Sequence, residues 1–263
     1  MEETSYCRTI AVANEKGGVG KTVMALNLGA ALSTKEKKVL IVDADPQANA
    51  TRGLGIQVPE GMPALYEFMT DPDPGHVLNR TVETRWDGLH VVPSTVDLAG
   101  AEVELVDVPG REYRLKEALE GLSEFYDFIL IDTPPSLSLL TVNVFAYARE
   151  ILVPCQTHPY SFDALEELFD TVSAIGREIN PALSITGIVA TFFDTRTRVS
   201  HRILEKLRND PRYGPLLFET RIRVNTTIAD SALSGKPVVF YRKNSFGAED
   251  FMNLAEELLK TKG

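Results

Sequence analysis

Seven residues near the amino terminus, Lys16-Gly17-Gly18-Val19-Gly20-Lys21-Thr22, have the types and spacing of a phosphate-binding loop. Glycines let backbone N–H groups turn inward around phosphate oxygens, and a helix that begins at the end of the run adds its dipole to the attraction. In such a loop, running on to Val23, Lys21 bridges β- and γ-phosphates and the Thr22 hydroxyl is a ligand for Mg²⁺. Two acidic clusters are the other candidates for chemistry: Asp43-Ala44-Asp45-Pro46-Gln47 and Asp132-Thr133-Pro134-Pro135. Carboxylates beside a phosphate site can hold Mg²⁺ directly or through water, or orient an attacking water. Either cluster by itself could equally cap a helix.

The flanking segments say how these residues are brought together. Thr9–Ala13 reads as a buried strand ahead of the loop, and Thr22–Leu32 is small, apolar and free of proline, as a helix packed on a sheet would be. Val39–Val42 and Phe128–Ile131 are four-residue apolar runs, each ending in one of the acidic clusters. Strands are expected at 9–13, 39–42, 89–92, 128–131, 151–154, 185–190 and 216–219, and helices at 22–34, 111–123, 163–179, 200–209 and 247–260. Continuous rather than alternating hydrophobicity in the strands predicts a mainly parallel sheet covered on both faces. In such sheets ligands gather at the carboxyl ends of the strands, so the three polar clusters should converge on one edge. Gly53–Asp87, rich in Gly, Pro and Asp, reads as a surface excursion holding one short amphipathic piece, Ala64–Met69.

The usual pattern G-x-x-x-x-G-K-[ST] would place its first glycine at Glu15, so the loop departs from it and opens on a second lysine, Lys16. K-G-G-x-G-K-T resembles the deviant Walker A motif of the ParA/Soj/MinD ATPases. D-x-D-P-Q followed by Asn49-Ala50-Thr51, and I-D-x-P-P at 131–135, resemble the ParA/Soj switch segments. The resemblance runs over roughly residues 7–260. It implies a P-loop NTPase of the α/β class, with a doubly wound, mainly parallel sheet in one domain spanning 1–263. Its implied cofactors are ATP and Mg²⁺, and its implied activity is slow ATP hydrolysis stimulated by a ParB-like partner. Lys16 would reach across a nucleotide-sandwich homodimer to the other subunit's phosphates, Asp45 would polarise the hydrolytic water, and Asp132 would fix the Mg²⁺ shell.

Charge supplies a second signal. Residues 1–193 carry 14 Lys and Arg against 28 Asp and Glu, whereas residues 194–263 carry 13 against 9. An acidic chain with a basic end has the electrostatic footprint of phosphate-backbone binding, although solvated helix faces give the same count. The resemblance implies sequence-independent DNA binding by the ATP-bound dimer, nucleoid association, and positioning of a chromosome, plasmid or other cargo. The family segment N-V-R-L-x-E-A-P-S-x-G-K-P aligns with Asn225–Pro237 and puts Thr227 where an arginine commonly contacts DNA. The contacts then fall to Arg196, Arg198, Arg202, Arg221, Arg223 and Arg242.

Composition limits the alternatives. At 263 residues and 44% hydrophobic content the chain can bury a full core. It has no run of eighteen apolar residues and no leader-like start, so a cytoplasmic protein without a membrane partner is expected. A MinD-like membrane switch would need a basic amphipathic helix beyond Leu258–Gly263. An iron–sulfur relative would need a cysteine pair, which Cys7 and Cys155 do not offer; packing is their expected role. His76, His90, His158 and His201 lack metal-ligand spacing. A metabolic synthetase such as dethiobiotin synthetase shares the expected fold but not the combination of Lys16 and D-x-D-P-Q. The six residues before Cys7 are too short for the helix-turn-helix domain that some plasmid members carry, so autoregulation is not expected.

Overall fold

The computed structural model describes residues 6–71 and 80–261, and His76 lies outside them. The strands are β1 (Arg8–Val12), β2 (Val39–Asp43), β3 (Val82–Glu83), β4 (Leu89–Val92), β5 (Phe128–Asp132), β6 (Glu150–Gln156), β7 (Ser184–Phe193) and β8 (Leu217–Arg223). They form one sheet in the order β3-β4-β2-β5-β1-β6-β7-β8, and every pairing is parallel except that of β3 with β4. Interior strands such as β2 and β5 are buried along their whole length. A strand covered on both faces has no solvent side, which is why its sequence does not alternate.

The helices are α1 (Lys21–Ser33), α2 (Asn49–Gly53), α3 (Leu65–Thr70), α4 (Leu98–Glu104), α5 (Arg114–Ala118), α6 (Leu139–Tyr147), α7 (Ser161–Glu178), α8 (Arg198–Asn209), α9 (Thr226–Leu233), α10 (Val238–Tyr241) and α11 (Phe246–Lys260). One face of the sheet packs on Met24 and Leu28 of α1 with Phe251, Leu254 and Leu258 of α11. The other packs on Phe68, Leu115, Val144, Phe145, Leu165 and Leu168, from α3, α5, α6 and α7. In α7 the buried Leu165, Leu168, Phe169, Val172 and Ile175 recur at helical spacing and form a single apolar stripe. The sheet is doubly wound, as expected.

Three features differ from the sequence expectation. The stretch 111–123 is not one helix: α5 covers only five residues, with 3₁₀ turns at Arg111–Tyr113 and Leu122–Glu124. Gly110 at φ 73° and Gly121 at φ 80° bracket it, and left-handed backbone of this kind ends a helix. The excursion contributes the two-residue β3 to the sheet edge. Helices α2, α4, α6, α9 and α10 were not anticipated; α6, with the sequence LLTVNVFAY, reads locally as a strand. Cys7 and Cys155 are buried free thiols, and burial pushes each up to about 12.

Candidate functional site

Between β1 and α1 the chain turns through Gly18 at φ 73° and Gly20 at φ 95°, conformations that glycine adopts without a Cβ penalty. Asn14 braces the turn: its Nδ2 donates to Pro154 O at 2.9 Å and its Oδ1 accepts the Lys16 N–H at 2.9 Å. The Thr191 hydroxyl donates to Val19 O at 2.8 Å, and the Thr171 hydroxyl on α7 donates to Glu15 at 2.8 Å. Lys21 is buried, and its ammonium donates to Asn14 O at 2.9 Å and Lys16 O at 3.2 Å. Burial lowers its pKa, while Asp132 and Asp45 work in the opposite direction. The first turn of α1 has no side-chain cap, so its N–H groups are available to an anion.

Strand register delivers the carboxylates. Asp43 lies opposite Asp132 across β2 and β5, and Val12 lies opposite Asp132 across β1 and β5, so three strand ends finish level. Asp132 is fully buried, and neither of its carboxylate oxygens has a hydrogen-bond partner among the described residues. Burial and then the nearby Asp43 hold it well above the usual carboxylate range, with Thr22 and Lys21 opposing. A buried carboxylate in this state is suited to receive a cation. Asp43 is also fully buried and pushed up to about 6 by burial, although Thr51 and Asp45 hydrogen bonds counter the rise. Asp45 accepts the Gln47 N–H at Oδ1, 2.9 Å away.

Gly17, Gly18, Gly20, Lys21, Thr22, Val23 and Asp45 line one hollow of about 400 Å³, together with Gln47, Asn49, Thr133, Pro135 and Phe192. A smaller apolar cavity of about 150 Å³, lined by Met24, Ile222, Ile228 and Phe251, adjoins it at Gly20, Val23 and Phe192. Val19 points into the core, and the Lys16 ammonium has no carboxylate partner among the described residues. The donor set fits Mg²⁺: Thr22 and Asp132 offer hard oxygen donors, and no cluster of three His, Cys, Asp or Glu among the described residues closes a full shell. Mg²⁺ bound with a nucleotide takes its other ligands from phosphate and water.

Arg221 and Arg223 line an open hollow of about 510 Å³, but Glu219, Glu249 and Asp250 line it with them. Arg198, Arg202 and Arg242 are exposed. Arg196 is paired with Asp194 at 2.9 Å on the surface. Arg223 is committed internally, to Glu249 at 2.7 Å, to the buried Asp250, and over the Phe246 ring at 4.5 Å. Arg221 lies over Phe193 at 5.3 Å with its Nε buried. Among the described residues, no helix is long and apolar enough to cross a membrane.

A phosphate loop at the switch point of a doubly wound sheet, with a buried acidic strand end beneath it, defines a P-loop NTPase. Residues 7–185 match a family model described as an AAA domain. The chain is 41% identical over 253 residues to the chromosome partitioning protein ParA of Myxococcus xanthus, covering 96% of this chain and 88% of that one. It is 39% identical over 251 residues to the sporulation initiation inhibitor protein Soj of Bacillus subtilis, covering 95% and 98%. The solved structure of cobyrinic acid a,c-diamide synthase from Mycobacterium smegmatis, with bound ATP analogue and magnesium, superposes with a TM-score of 0.82 at 31% identity, covering 97% and 95%. The chain belongs to the ParA/Soj family of deviant Walker A ATPases.

Asn14, Ser94, Thr191 and Phe192 lie at or beside the site outside the sequence motifs, and Thr51, inside one, has no role that the motif assigns. Thr51 lies inside a switch segment, and that position is the signal that could have found it. Ser94 follows β4 with no motif around it, so only the fold reveals it.

Proposed function

We propose that the chain is an ATP hydrolase whose nucleotide-bound homodimer binds DNA without sequence preference and positions a chromosome, plasmid or other cargo. The observation that carries this reading is the buried Asp132 carboxylate, which accepts no hydrogen bond among the described residues, beneath a loop where Lys21, Thr22 and Asp45 share one hollow. The Lys21 ammonium exchanges two backbone carbonyls for β- and γ-phosphate oxygens, a stronger charge-assisted pairing. Thr22 and Asp132 would hold Mg²⁺, which would supply neutralising charge to the phosphates. Asp45, which lines the same hollow, orients the attacking water, and the free helix N-terminus receives the developing negative charge. The apolar cavity beside Gly20 accommodates the base.

Lys16, ordered at its backbone but with no carboxylate partner among the described residues, is free to serve the other subunit's phosphates. Hydrolysis is then an on/off control over the dimer, accelerated by a ParB-like protein, and the active dimer resides on the nucleoid in the cytoplasm. Turnover of ATP with added DNA and no organic acid tests the reading. A protein that hydrolyses ATP only with an organic acid would be a synthetase, the activity for which the M. smegmatis protein is named.

A further inference from the structure

We infer that Ser94 and Thr51, acting with Asp43, are positioning residues for Asp45. A buried hydrogen-bond ring between the ends of β2 and β4 fixes the loop that carries the water-orienting carboxylate. The inference rests on the proposed role of Asp45 in hydrolysis.

The ring can be followed atom by atom. Asp43 Oδ2 accepts the Thr51 N–H and the Thr51 hydroxyl, each at 2.7 Å, and Asp43 Oδ1 accepts the Asp45 N–H at 3.3 Å. The Thr51 hydroxyl oxygen accepts the Ser94 N–H at 3.0 Å. Ser94 closes the ring by donating its own hydroxyl to Asp45 O at 2.9 Å, an acceptor it shares with the Ala48 N–H at 2.8 Å. Asp43, Asp45, Thr51 and Ser94 are respectively 0%, 7%, 2% and 1% exposed, so water does not compete for these bonds. Inside the loop Ala48 holds φ 51°, a left-handed conformation that strains a non-glycine residue and persists only where its surroundings over-determine it.

Neither Thr51 nor Ser94 lines the phosphate hollow, whereas Asp45, Gln47 and Asn49 do. Their hydroxyls therefore act on the reaction through the loop and not on the nucleotide. Ser94 follows β4, outside every motif of the chain, and ties the loop to a strand three places away from β1 in the sheet. A water held off its line of attack by 1 Å can lose about a hundredfold in rate, so slackening the ring should appear in kcat and spare binding.

The test uses the full chain with Ser94→Ala, Thr51→Val, Thr51→Ser and Asp45→Ala, measuring ATP affinity by calorimetry and kcat at saturating ATP and Mg²⁺. Ser94→Ala and Thr51→Val should each lower kcat by about tenfold or more, with ATP affinity held within about twofold. Thr51→Ser, which keeps the hydroxyl, should retain at least half the rate, and Ser94→Ala should cost nothing further when added to Asp45→Ala. If Thr51→Val does not fold, Ser94→Ala carries the measurement. The inference is overturned by itself if Asp45→Ala abolishes hydrolysis while Ser94→Ala turns over at the full rate. It is also overturned if affinity and kcat fall together without rescue by Thr51→Ser, the mark of a structural role. Full activity in Asp45→Ala would overturn the Asp45 reading along with it.

Discussion

The nucleotide hollow and the basic carboxy-terminal surface are both rich in charge, yet they are built on opposite principles. Around the P-loop the ionisable groups are buried: two carbonyls hold Lys21 and Thr51 holds Asp43, while Asp132 accepts no hydrogen bond among the described residues. At the other end the guanidinium groups are exposed, as with Arg198, Arg202 and Arg242, or spent on neighbours, as with Arg223 on Glu249 and Asp250. Burial makes an unsatisfied polar group costly, so its presence points to a ligand; exposure makes a charge cheap, so it points to little by itself. A charge count over residues 194–263 therefore overstates the cations available to DNA.

The largest effect expected is at Lys21. Lys21→Ala removes the cation facing the phosphates and should weaken ATP binding by about a hundredfold, read by calorimetry, with the far-UV spectrum unchanged. Undiminished affinity would remove the functional contrast between the two regions. Next comes the split between Lys16, proposed to cross the dimer, and Asp45, proposed to orient water. With ATP, Asp45→Ala should accumulate as a dimer with kcat down about a hundredfold, and Lys16→Ala should stay monomeric while keeping measurable ATP affinity. Light scattering separates them, and an active Lys16→Ala dimer would rule out the sandwich.

On the basic surface the contrast becomes sharper. Arg198→Glu with Arg202→Glu, in the Asp45→Ala background, should reduce the salt dependence of DNA binding by about one unit of log–log slope for each arginine–phosphate pair broken. A slope identical to that of the parent would leave these arginines as solvated surface. Arg223→Ala should behave differently, because it strands the buried Asp250 carboxylate. A stability loss of about 2 kcal/mol in urea is expected, with DNA affinity reduced less than by the Arg198 and Arg202 pair. An unchanged unfolding midpoint would show that the Arg223 cluster does not bear on stability.

The smallest effect concerns the thiols. Burial pushes Cys7 and Cys155 up to about 12, so at pH 7 nearly all of each stays protonated. Alkylation should be slow in the folded protein and fast in denaturant, and reaction of either thiol at the denatured rate would mean that its side of the core opens readily.

The sequence by itself determined the loop from Lys16 to Thr22, the acidic ends of β2 and β5, and the parallel, doubly covered sheet. These are local facts: glycine spacing fixes backbone freedom, and an unbroken apolar run fixes a two-sided burial. Only the tertiary structure decided that Asp43 and Asp132 finish level, that Asp132 has no hydrogen-bond partner among the described residues, and that Ser94 reaches Asp45 from beyond another strand. It also decided that Arg223 is consumed by Asp250, and that the strand-like sequence of α6 is a helix packed in the core. Strand register and side-chain pairing join residues distant in the chain, and burial sets the cost of leaving a charge unpaired. Neither quantity is carried by local residue order.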